Sequence, residues 1–358
     1  MKKVTAITFH RAQNFGSALQ TYALSQMVSN LNDDIFYQVL DISSDAQKEL
    51  YSHYKKVNGF SDLVKNAVIF LNSKKIRLRE NKFKAFLENF LNLTNDTEAD
   101  YFISGSDQIW NVRAKDFADF YFLDFAKNAK KVSYAASFGP LKIDWNKYNK
   151  EKYISFLNDY SAVSVREEGS RENVELLTGK PCDIHVDPTL LLTADEWRKI
   201  QSDANYKNGK YILLYCLEPS KKQLRMAKII SKKLGLPIVV LRYNNKNDMF
   251  NTFVKRYDAG PQDFLSFIDN AALVLTSSFH GTAFSLIYGK PFYVLDNGDD
   301  NRISSILKKT GTMDRNIEEI SEIEKVDLSK PNVDIINEAI NAEKQRSYEY
   351  LKGALEIE

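Results

Sequence analysis

Apolar positions along the chain recur with two alternating periods, and this alternation predicts the secondary structure. Residues 4–9 form a short apolar run of the kind that makes a buried strand, whereas residues 16–31 repeat apolar side chains at helical spacing. Residues 37–42 are again a short apolar run. A strand, a helix and a second strand in this order are typical of the start of a parallel α/β sheet.

The alternation continues in two series, separated by a polar stretch at residues 195–210. The first series adds predicted strands at 101–104, 132–136, 162–166 and 182–186. The second has predicted strands at 211–217, 238–242, 271–276 and 292–295, with helices at 220–234, 261–270 and 281–288. We therefore predict an α/β protein with two Rossmann-like domains facing a cleft, spanning residues 1–200 and 205–325, followed by a C-terminal helix at 333–355.

Residues 45–95 depart from this rhythm and form a predicted helical insertion in the first domain. Residues 54–90 have helical spacing and carry many more lysines and arginines than acidic residues. Solvated surface helices would account for this. The alternative is a basic amphipathic face within residues 55–84, including Lys74, Lys75, Arg77 and Arg79, that contacts anionic lipid or a lipid-linked acceptor.

Composition narrows the functional classes. The 49 basic and 47 acidic residues give a net charge of only +2, so we expect no nucleic-acid partner. The apolar runs fall far short of the roughly 20 residues of a membrane-spanning helix. No signal-peptide pattern opens the sequence, and the two cysteines suit a reducing compartment. We expect a cytoplasmic protein, with peripheral contact at the inner face of the membrane as the open alternative.

Loops at the carboxyl ends of parallel strands are where such sheets bind ligands. The first candidate loop follows the first strand, and its Asn14 and Gly16 stand at the start of a predicted helix, where backbone N–H groups can bind an anion. Asn14 and Ser17 could instead simply cap that helix. The loop lacks the spacing of a dinucleotide fingerprint.

The second candidate loop follows the strand at 101–104 and combines polar groups with an indole. Its candidate acceptor-binding residues are Ser106, Asp107, Gln108, Trp110 and Asn111. Such a mixture suits sugar recognition, with Trp110 offering an apolar face and Asp107 a carboxylate that could act as a general base. A capped turn with a core tryptophan is the alternative.

Arg166 ends a predicted strand, where its planar guanidinium suits a carboxylate or phosphate. The alternative is an ion pair with Glu167, Glu168 or Asp187.

The fourth candidate loop precedes a short helix predicted to start at Gly281. His280 lies in this loop, and the candidate anion-binding residues around it are Ser277, Ser278, Gly281 and Thr282. No histidine, cysteine or carboxylate grouping has the spacing of metal ligands, so we expect neither a metal nor a cofactor.

At these four loops the chain resembles the polysaccharide pyruvyl transferase family. The matching motifs are Asn14-Phe15-Gly16-Ser17, Gly105-Ser106-Asp107-Gln108-Ile109-Trp110-Asn111, Ser164-Val165-Arg166-Glu167, Asp187-Pro188-Thr189 and Thr276-Ser277-Ser278-Phe279-His280-Gly281-Thr282. They occur in family order from residue 4 to about residue 310. The resemblance implies a GT-B-like fold and transfer of pyruvate from phosphoenolpyruvate to two hydroxyls of a sugar, giving a cyclic ketal.

By this resemblance, His280 and Arg166 are expected to bind the donor substrate, phosphoenolpyruvate. The second domain is expected to form the donor side of the cleft. Asp107 is the candidate for activating the sugar acceptor, which could be a lipid-linked oligosaccharide, and Arg302 is a further candidate anion contact. Two other functions stay open on the same fold. One is a GT-B glycosyltransferase that uses a nucleotide sugar, and the other is a non-catalytic glycan-binding protein.

Overall fold

The computed structural model describes residues 1–50, 70, 73–203, 206, 209–241, 251–295 and 300–357. Its regular elements form two parallel sheets with helices on their faces, which confirms the predicted α/β class. We call the part built on the first sheet the first lobe and the part built on the second sheet the second lobe. The predicted domain limits of 200 and 205 stay a prediction, because residues 204 and 205 lie outside the described part.

The first sheet contains five parallel strands in the order β3-β2-β1-β4-β5. The strands are β1 (Lys2–Ile7), β2 (Ile35–Leu40), β3 (Leu93–Thr94), β4 (Tyr101–Ser104) and β5 (Lys130–Ser133). The central strand β1 pairs through Val4 with Tyr37 on one side and with Tyr101 on the other. The two-residue strand β3 was not predicted, because two residues show no periodicity.

Helices and a small second ladder complete the first lobe. The helices are α1 (Phe15–Ser29), α2 (Asp45–Leu50), α3 (Ser73–Phe90), α4 (Lys150–Asn158) and α5 (Glu168–Thr178). Strands β6 (Ser164–Val165) and β7 (Asp183–Ile184) pair in parallel beside the main sheet. Helix α6 (Ala194–Arg198) follows and buries Trp197, so the polar stretch at residues 195–210, which separates the two series, begins inside a packed helix.

The second sheet has six parallel strands in the order β10-β9-β8-β11-β12-β13. The strands are β8 (Ile212–Tyr215), β9 (Ile238–Val240), β10 (Val254–Lys255), β11 (Leu273–Thr276), β12 (Phe292–Leu295) and β13 (Asn316–Ile317). The helices are α7 (Lys221–Leu234), α8 (Pro261–Asp269), α9 (Phe279–Ile287), α10 (Asn301–Lys309) and α11 (Val333–Ala354). This is the doubly wound order, whose switch point lies between β8 and β11.

The lobes pack against each other through aromatic rings at the switch points. Phe15 at the start of α1 stacks on Phe264 of α8 with ring centroids 4.9 Å apart, and it also contacts Tyr215 at the end of β8. Helix α11 then returns to the first sheet, where the Tyr350 hydroxyl donates to the carbonyl of Ser133 at 2.8 Å. The carboxyl ends of both sheets therefore face one interlobe cleft.

Helix α3 corrects part of the prediction for the basic segment. Lys74, Lys75 and Arg77 are exposed, as a lipid-facing surface requires, but Arg79 is buried. The Arg79 guanidinium donates to the carbonyls of Leu241 and Ala259 in the second lobe, so it cannot contact lipid. Residues 51–69, 71 and 72 of the segment lie outside the described residues, and membrane contact stays a prediction. No helix among the described residues is both long and apolar enough to cross a bilayer.

Candidate functional site

Arg166 lies at the centre of a cluster of carboxylates in the cleft. It follows strand β6, is only 5% exposed, and its Nη1 donates to Oδ2 of Asp187 at 2.6 Å. Glu167 Oε2 and Asp107 Oδ1 lie at longer ion-pair distances, 3.6 Å from Nε and 3.8 Å from Nη2. Neither Nε nor Nη2 has a hydrogen-bond partner among the described residues. One of the predicted alternatives, an ion pair with Asp187, is therefore present, and two buried nitrogens of the guanidinium are left without a hydrogen bond among the described residues.

The charged side chains of this cluster stabilise one another's ionised forms. Burial alone would raise the pKa of Asp187, but the charges of His280 and Arg166 and a hydrogen bond from the Thr189 N–H outweigh it. The pKa of Asp187 therefore lies well below its usual range. Burial would likewise lower the pKa of Arg166, and the surrounding carboxylates raise it above its usual value. Both side chains are ionised at neutral pH.

His280 reaches this cluster from the second lobe. Helix α9 begins at Phe279, two residues earlier than predicted, so His280 lies in the first helical turn and not in a loop. Its Nε2 lies 3.5 Å from Oδ2 of Asp187, an ion-pair distance, and has no hydrogen-bond partner among the described residues. Asp187 therefore contacts both residues that were expected to bind the donor.

Gly16 allows the first lobe to approach His280. A Cβ built on Gly16 would lie 2.0 Å from Nδ1 of His280, a distance that no real side chain tolerates. Asn14 caps α1 by accepting a hydrogen bond from the Gly16 N–H at 2.9 Å, which fixes the glycine at the helix start. The capping alternative for Asn14 is thus correct, and the helix start that it fixes is packed against the histidine ring.

Asp107 joins the cluster from the loop after β4. Its Oδ2 accepts a hydrogen bond from the Ser17 hydroxyl at 2.6 Å, and its Oδ1 accepts one from the Gln108 N–H at 2.8 Å. Asp107 has φ 76°, in the left-handed region, where a side chain is uncommon but an aspartate is tolerated. Ser17 of α1 thus orients a carboxylate that faces Arg166.

A pocket beside Arg166 is lined by further cations. Arg302, Ser305 and Lys309 of α10 share this pocket with Arg166, Asp187 and the ring of Phe279. Arg302 also donates to Asp300, through Nη2 at 2.6 Å. The prediction placed Arg302 near the donor, and the structure brings it to the same pocket as Arg166.

Three predicted site residues use their polar groups inside the protein. Trp110 is fully buried, stacks on Phe122 and donates its indole N–H to Ser104 Oγ, so it offers no face to a sugar. The hydroxyl of Ser106 donates to the Ala135 carbonyl. The hydroxyl of Thr282 donates to the Ser278 carbonyl within α9.

The remaining predicted residues lie near the cleft with mixed roles. Gln108 Oε1 accepts a hydrogen bond from Asn111 Nδ2 at 3.2 Å, and both side chains would collide with a Cβ at Gly139. A Cβ at Gly281 would meet Thr276 Oγ1 at 2.2 Å, so this glycine lets α9 pack on β11. Ser277 and Ser278 precede α9, and their binding roles stay predictions.

Asp187 and Lys309 were missing from the predicted site. Asp187 stood in the sequence as an ion-pair partner for Arg166 and within a family motif, and an acidic residue directly after an apolar run was the available signal. Lys309 gave no signal, because it is one lysine in a basic helix. Among the described residues, no group of three or more His, Cys, Asp or Glu side chains could hold a metal ion.

Comparison with known families gives a match that includes the residues of this cleft. The sequence model of the family described as Polysaccharide pyruvyl transferase matches residues 14–300, which is well over half of the chain and includes Gly16, Asp107, Arg166, Asp187 and His280. The chain belongs to this family. The match confirms the resemblance seen in the sequence motifs. None of the curated proteins compared with the chain matches it.

Solved structures resemble this pyruvyl transferase family member in fold. A UDP-N-acetylglucosamine 2-epimerase from Rickettsia bellii is 13% identical, with a TM-score of 0.54 over 99% of this chain and 97% of that chain. The same enzyme from Neisseria meningitidis is 14% identical, with a TM-score of 0.48 over 96% and 98%. The E. coli heptosyltransferase is 12% identical, with a TM-score of 0.41 over 84% and 89%. The fold is of the GT-B type, as predicted.

Proposed function

We propose that this protein transfers pyruvate from phosphoenolpyruvate to two hydroxyls of one sugar, forming a cyclic ketal in the synthesis of a cell-surface polysaccharide. The observation that carries the proposal is the meeting of Arg166 and His280 at Asp187, together with the two guanidinium N–H groups that have no hydrogen-bond partner among the described residues. Membership of the pyruvyl transferase family supports the reaction class.

The donor requires a site for two anionic groups, since it carries a carboxylate and a phosphate. Arg166 offers Nε and Nη2 to one oxyanion, and its charge is secured by the carboxylates around it. The first turn of α9 carries backbone N–H groups whose dipole favours a second anion. The two features lie side by side, because the Arg166 guanidinium lies 5.1 Å from the ring centre of Phe279.

His280 is the candidate acid for the first chemical step. Adding a proton to the methylene carbon of phosphoenolpyruvate makes C2 electrophilic, and one sugar hydroxyl then attacks C2. The second hydroxyl displaces phosphate and closes the ring, and the hydroxyl protons pass to the protein and to phosphate. Asp187 beside Nε2 stabilises the imidazolium that donates the proton.

Asp107 is the candidate base for the attacking hydroxyl. Ser17 and the Gln108 N–H hold its carboxylate in place on the first-lobe side of the cleft. This arrangement supports an acceptor bound against the first lobe and a donor bound between Arg166 and α9. The acceptor is a sugar with two neighbouring free hydroxyls, and a lipid-linked oligosaccharide is the form that we propose.

The decisive experiment measures phosphate release from phosphoenolpyruvate across a panel of free and lipid-linked glycans. We expect acceptor-dependent release by wild-type protein and a loss on the order of 100-fold or more in kcat/KM for Arg166→Lys and His280→Gln. Arg171→Lys is the matched control, because Arg171 is a partly exposed arginine paired with Glu168 on α5. It should change kcat/KM by less than about twofold.

A thermal-shift assay separates this function from its rivals. Phosphoenolpyruvate should raise the melting temperature, and UDP or CMP sugars should not. The opposite pattern would identify a nucleotide-sugar glycosyltransferase. Glycan binding without phosphate release from any acceptor would identify a glycan-binding protein.

A further inference from the structure

Helix α10 presents one polar stripe to the pocket beside Arg166. Arg302, Ser305 and Lys309 are spaced three and four residues apart, so they lie on the same helical face, and all three line the pocket. The neighbouring residue Lys308 does not line it and is exposed. The other described residues that line the pocket are apolar, apart from Arg166 and Asp187, and Oδ2 of Asp187 is already bonded to Arg166.

The pocket collects more positive than negative charge. Among the described residues, three cationic side chains line it, Arg166, Arg302 and Lys309, and Asp187 is the one carboxylate. Lys309 is paired at 2.6 Å with Glu343 of helix α11 and Arg302 with Asp300, but neither of these carboxylates lines the pocket. Two cations and a hydroxyl on one face, with a third cation opposite, suit a tetrahedral dianion better than a planar carboxylate.

We propose that Arg302, Ser305 and Lys309 bind the phosphate group of the donor, between α10 and the first turn of α9. The carboxylate of the donor then lies toward Nε and Nη2 of Arg166, and the methylene carbon lies toward His280. This assignment rests on the proposed function and adds two things to it. It fixes the orientation of the donor, and it names Lys309 and Ser305 as binding residues.

Titration calorimetry with three probes tests the assignment. Phosphoenolpyruvate carries both anionic groups, inorganic phosphate carries only one, and pyruvate carries only the carboxylate. We expect Lys309→Met to raise the Kd for phosphoenolpyruvate and for inorganic phosphate by about 10- to 100-fold. The Kd for pyruvate should stay within about twofold, because Lys309 does not reach the carboxylate in this orientation.

Two further variants keep the result specific. Lys308→Met removes the adjacent lysine of the same helix and should leave all three Kd values unchanged. Glu343→Gln breaks the same ion pair as Lys309→Met but leaves the ammonium group in place. If Lys309 binds phosphate, Glu343→Gln keeps or improves phosphate affinity. If the ion pair matters only for structure, both variants weaken binding alike, and the assignment is overturned.

The outcomes also separate this inference from the proposed function. Equal phosphate affinity in wild type, Lys309→Met and Lys308→Met, with wild-type turnover of phosphoenolpyruvate intact, would reject the phosphate site and leave the reaction standing. Lys309-dependent binding of inorganic phosphate without turnover of phosphoenolpyruvate would keep the phosphate site and reject the reaction. If none of the three probes bound to the wild-type protein, the phosphate site would be rejected.

Discussion

A methyl group at position 16 would collide with the imidazole of His280, because a built Cβ lies 2.0 Å from Nδ1. We therefore expect Gly16→Ala to displace the histidine and to lower kcat/KM for phosphoenolpyruvate by about 100-fold, since small displacements of a reacting group have effects of this size. Overpacking at the same contact should cost about 1–3 kcal/mol of unfolding free energy. Steady-state kinetics and urea denaturation measure the two effects.

Gly353→Ala is the control for this substitution. Gly353 lies in helix α11, and a built Cβ there meets no atom of the described residues within 4 Å. Alanine at that position should leave kcat/KM unchanged and stabilise the protein by up to about 1 kcal/mol, because alanine has the higher helix propensity. Wild-type kinetics in Gly16→Ala would show that His280 does not need its present position.

Asp187 should make the stability of the protein depend on pH. Its pKa is lower in the folded protein than in the unfolded chain, so its ionised form contributes fully above about pH 4 and loses that contribution as the pH falls further. Asp187→Asn leaves Arg166 buried with a weaker counter-charge and should cost about 3–5 kcal/mol at pH 7. Urea denaturation should show this difference from wild type shrinking between pH 7 and pH values below 4.

Asp195→Asn provides the comparison, because the Asp195 side chain is 87% exposed and its ion-pair partner among the described residues is Arg198, three residues away. Its unfolding free energy should follow that of wild type at every pH. A difference between Asp187→Asn and wild type that stays constant down to pH 3 would contradict a role for the ionised carboxylate.

The sequence identified site residues best where the chemistry of the side chain and its position after a strand both indicated a ligand. Arg166 and His280 follow apolar strands at the sheet edge that binds ligands, and the structure brings both to Asp187. Trp110 also follows a strand, yet its ring packs against Phe122. A tryptophan in a loop and a tryptophan in a core have the same local sequence, so only the three-dimensional packing separates them.

Elements were predicted well where their ends carry caps. Helix α7 starts after Ser220, which accepts from the Gln223 N–H, and it ends at Gly235 in the left-handed conformation, as its sequence indicates. Helix α9 has Ser278 at its N-cap without a side-chain hydrogen bond, and its predicted start at Gly281 was two residues late. The glycine that suggested a helix start serves instead for close packing on β11.

Helix α3 shows the limit of periodicity at this scale. The spacing of its apolar residues identified the helix, and Phe83, Phe86 and Leu87 are buried as expected. The spacing could not tell which basic residues face solvent. Arg79 is buried in spite of its charge. Its guanidinium lies 4.4 Å from the ring centre of Phe15 and donates hydrogen bonds to carbonyls of the other lobe.

At the scale of the whole molecule, the alternation of strands and helices predicted two Rossmann-like units but not how they pack. The contact between the lobes joins Phe15 to Phe264 and Tyr215, positions that are far apart in the sequence. One hydrophobic cluster includes residues of both sheets, such as Val4 and Leu213. We therefore regard the two lobes as one packed body across the cleft.

Arg79 is one polar link in this body, since it also donates to the Gln13 carbonyl in the loop that leads to Gly16. We expect Arg79→Met to lower the unfolding free energy by about 2–4 kcal/mol, because it removes charged donors from three carbonyls, two of them on buried residues. It should also raise KM for phosphoenolpyruvate, because loosened lobes hold Arg166 and His280 less closely together.

Arg77→Met, two residues away on the same helix, changes an exposed arginine and should shift the unfolding free energy by less than about 0.5 kcal/mol. Urea denaturation and steady-state kinetics of the two variants make the comparison. If Arg79→Met lowered stability and left KM unchanged, Arg79 would stabilise the packing of α3 without affecting how closely Arg166 and His280 are held together. If the two variants behaved alike, the link between the lobes would reside in their other contacts, such as the aromatic ones.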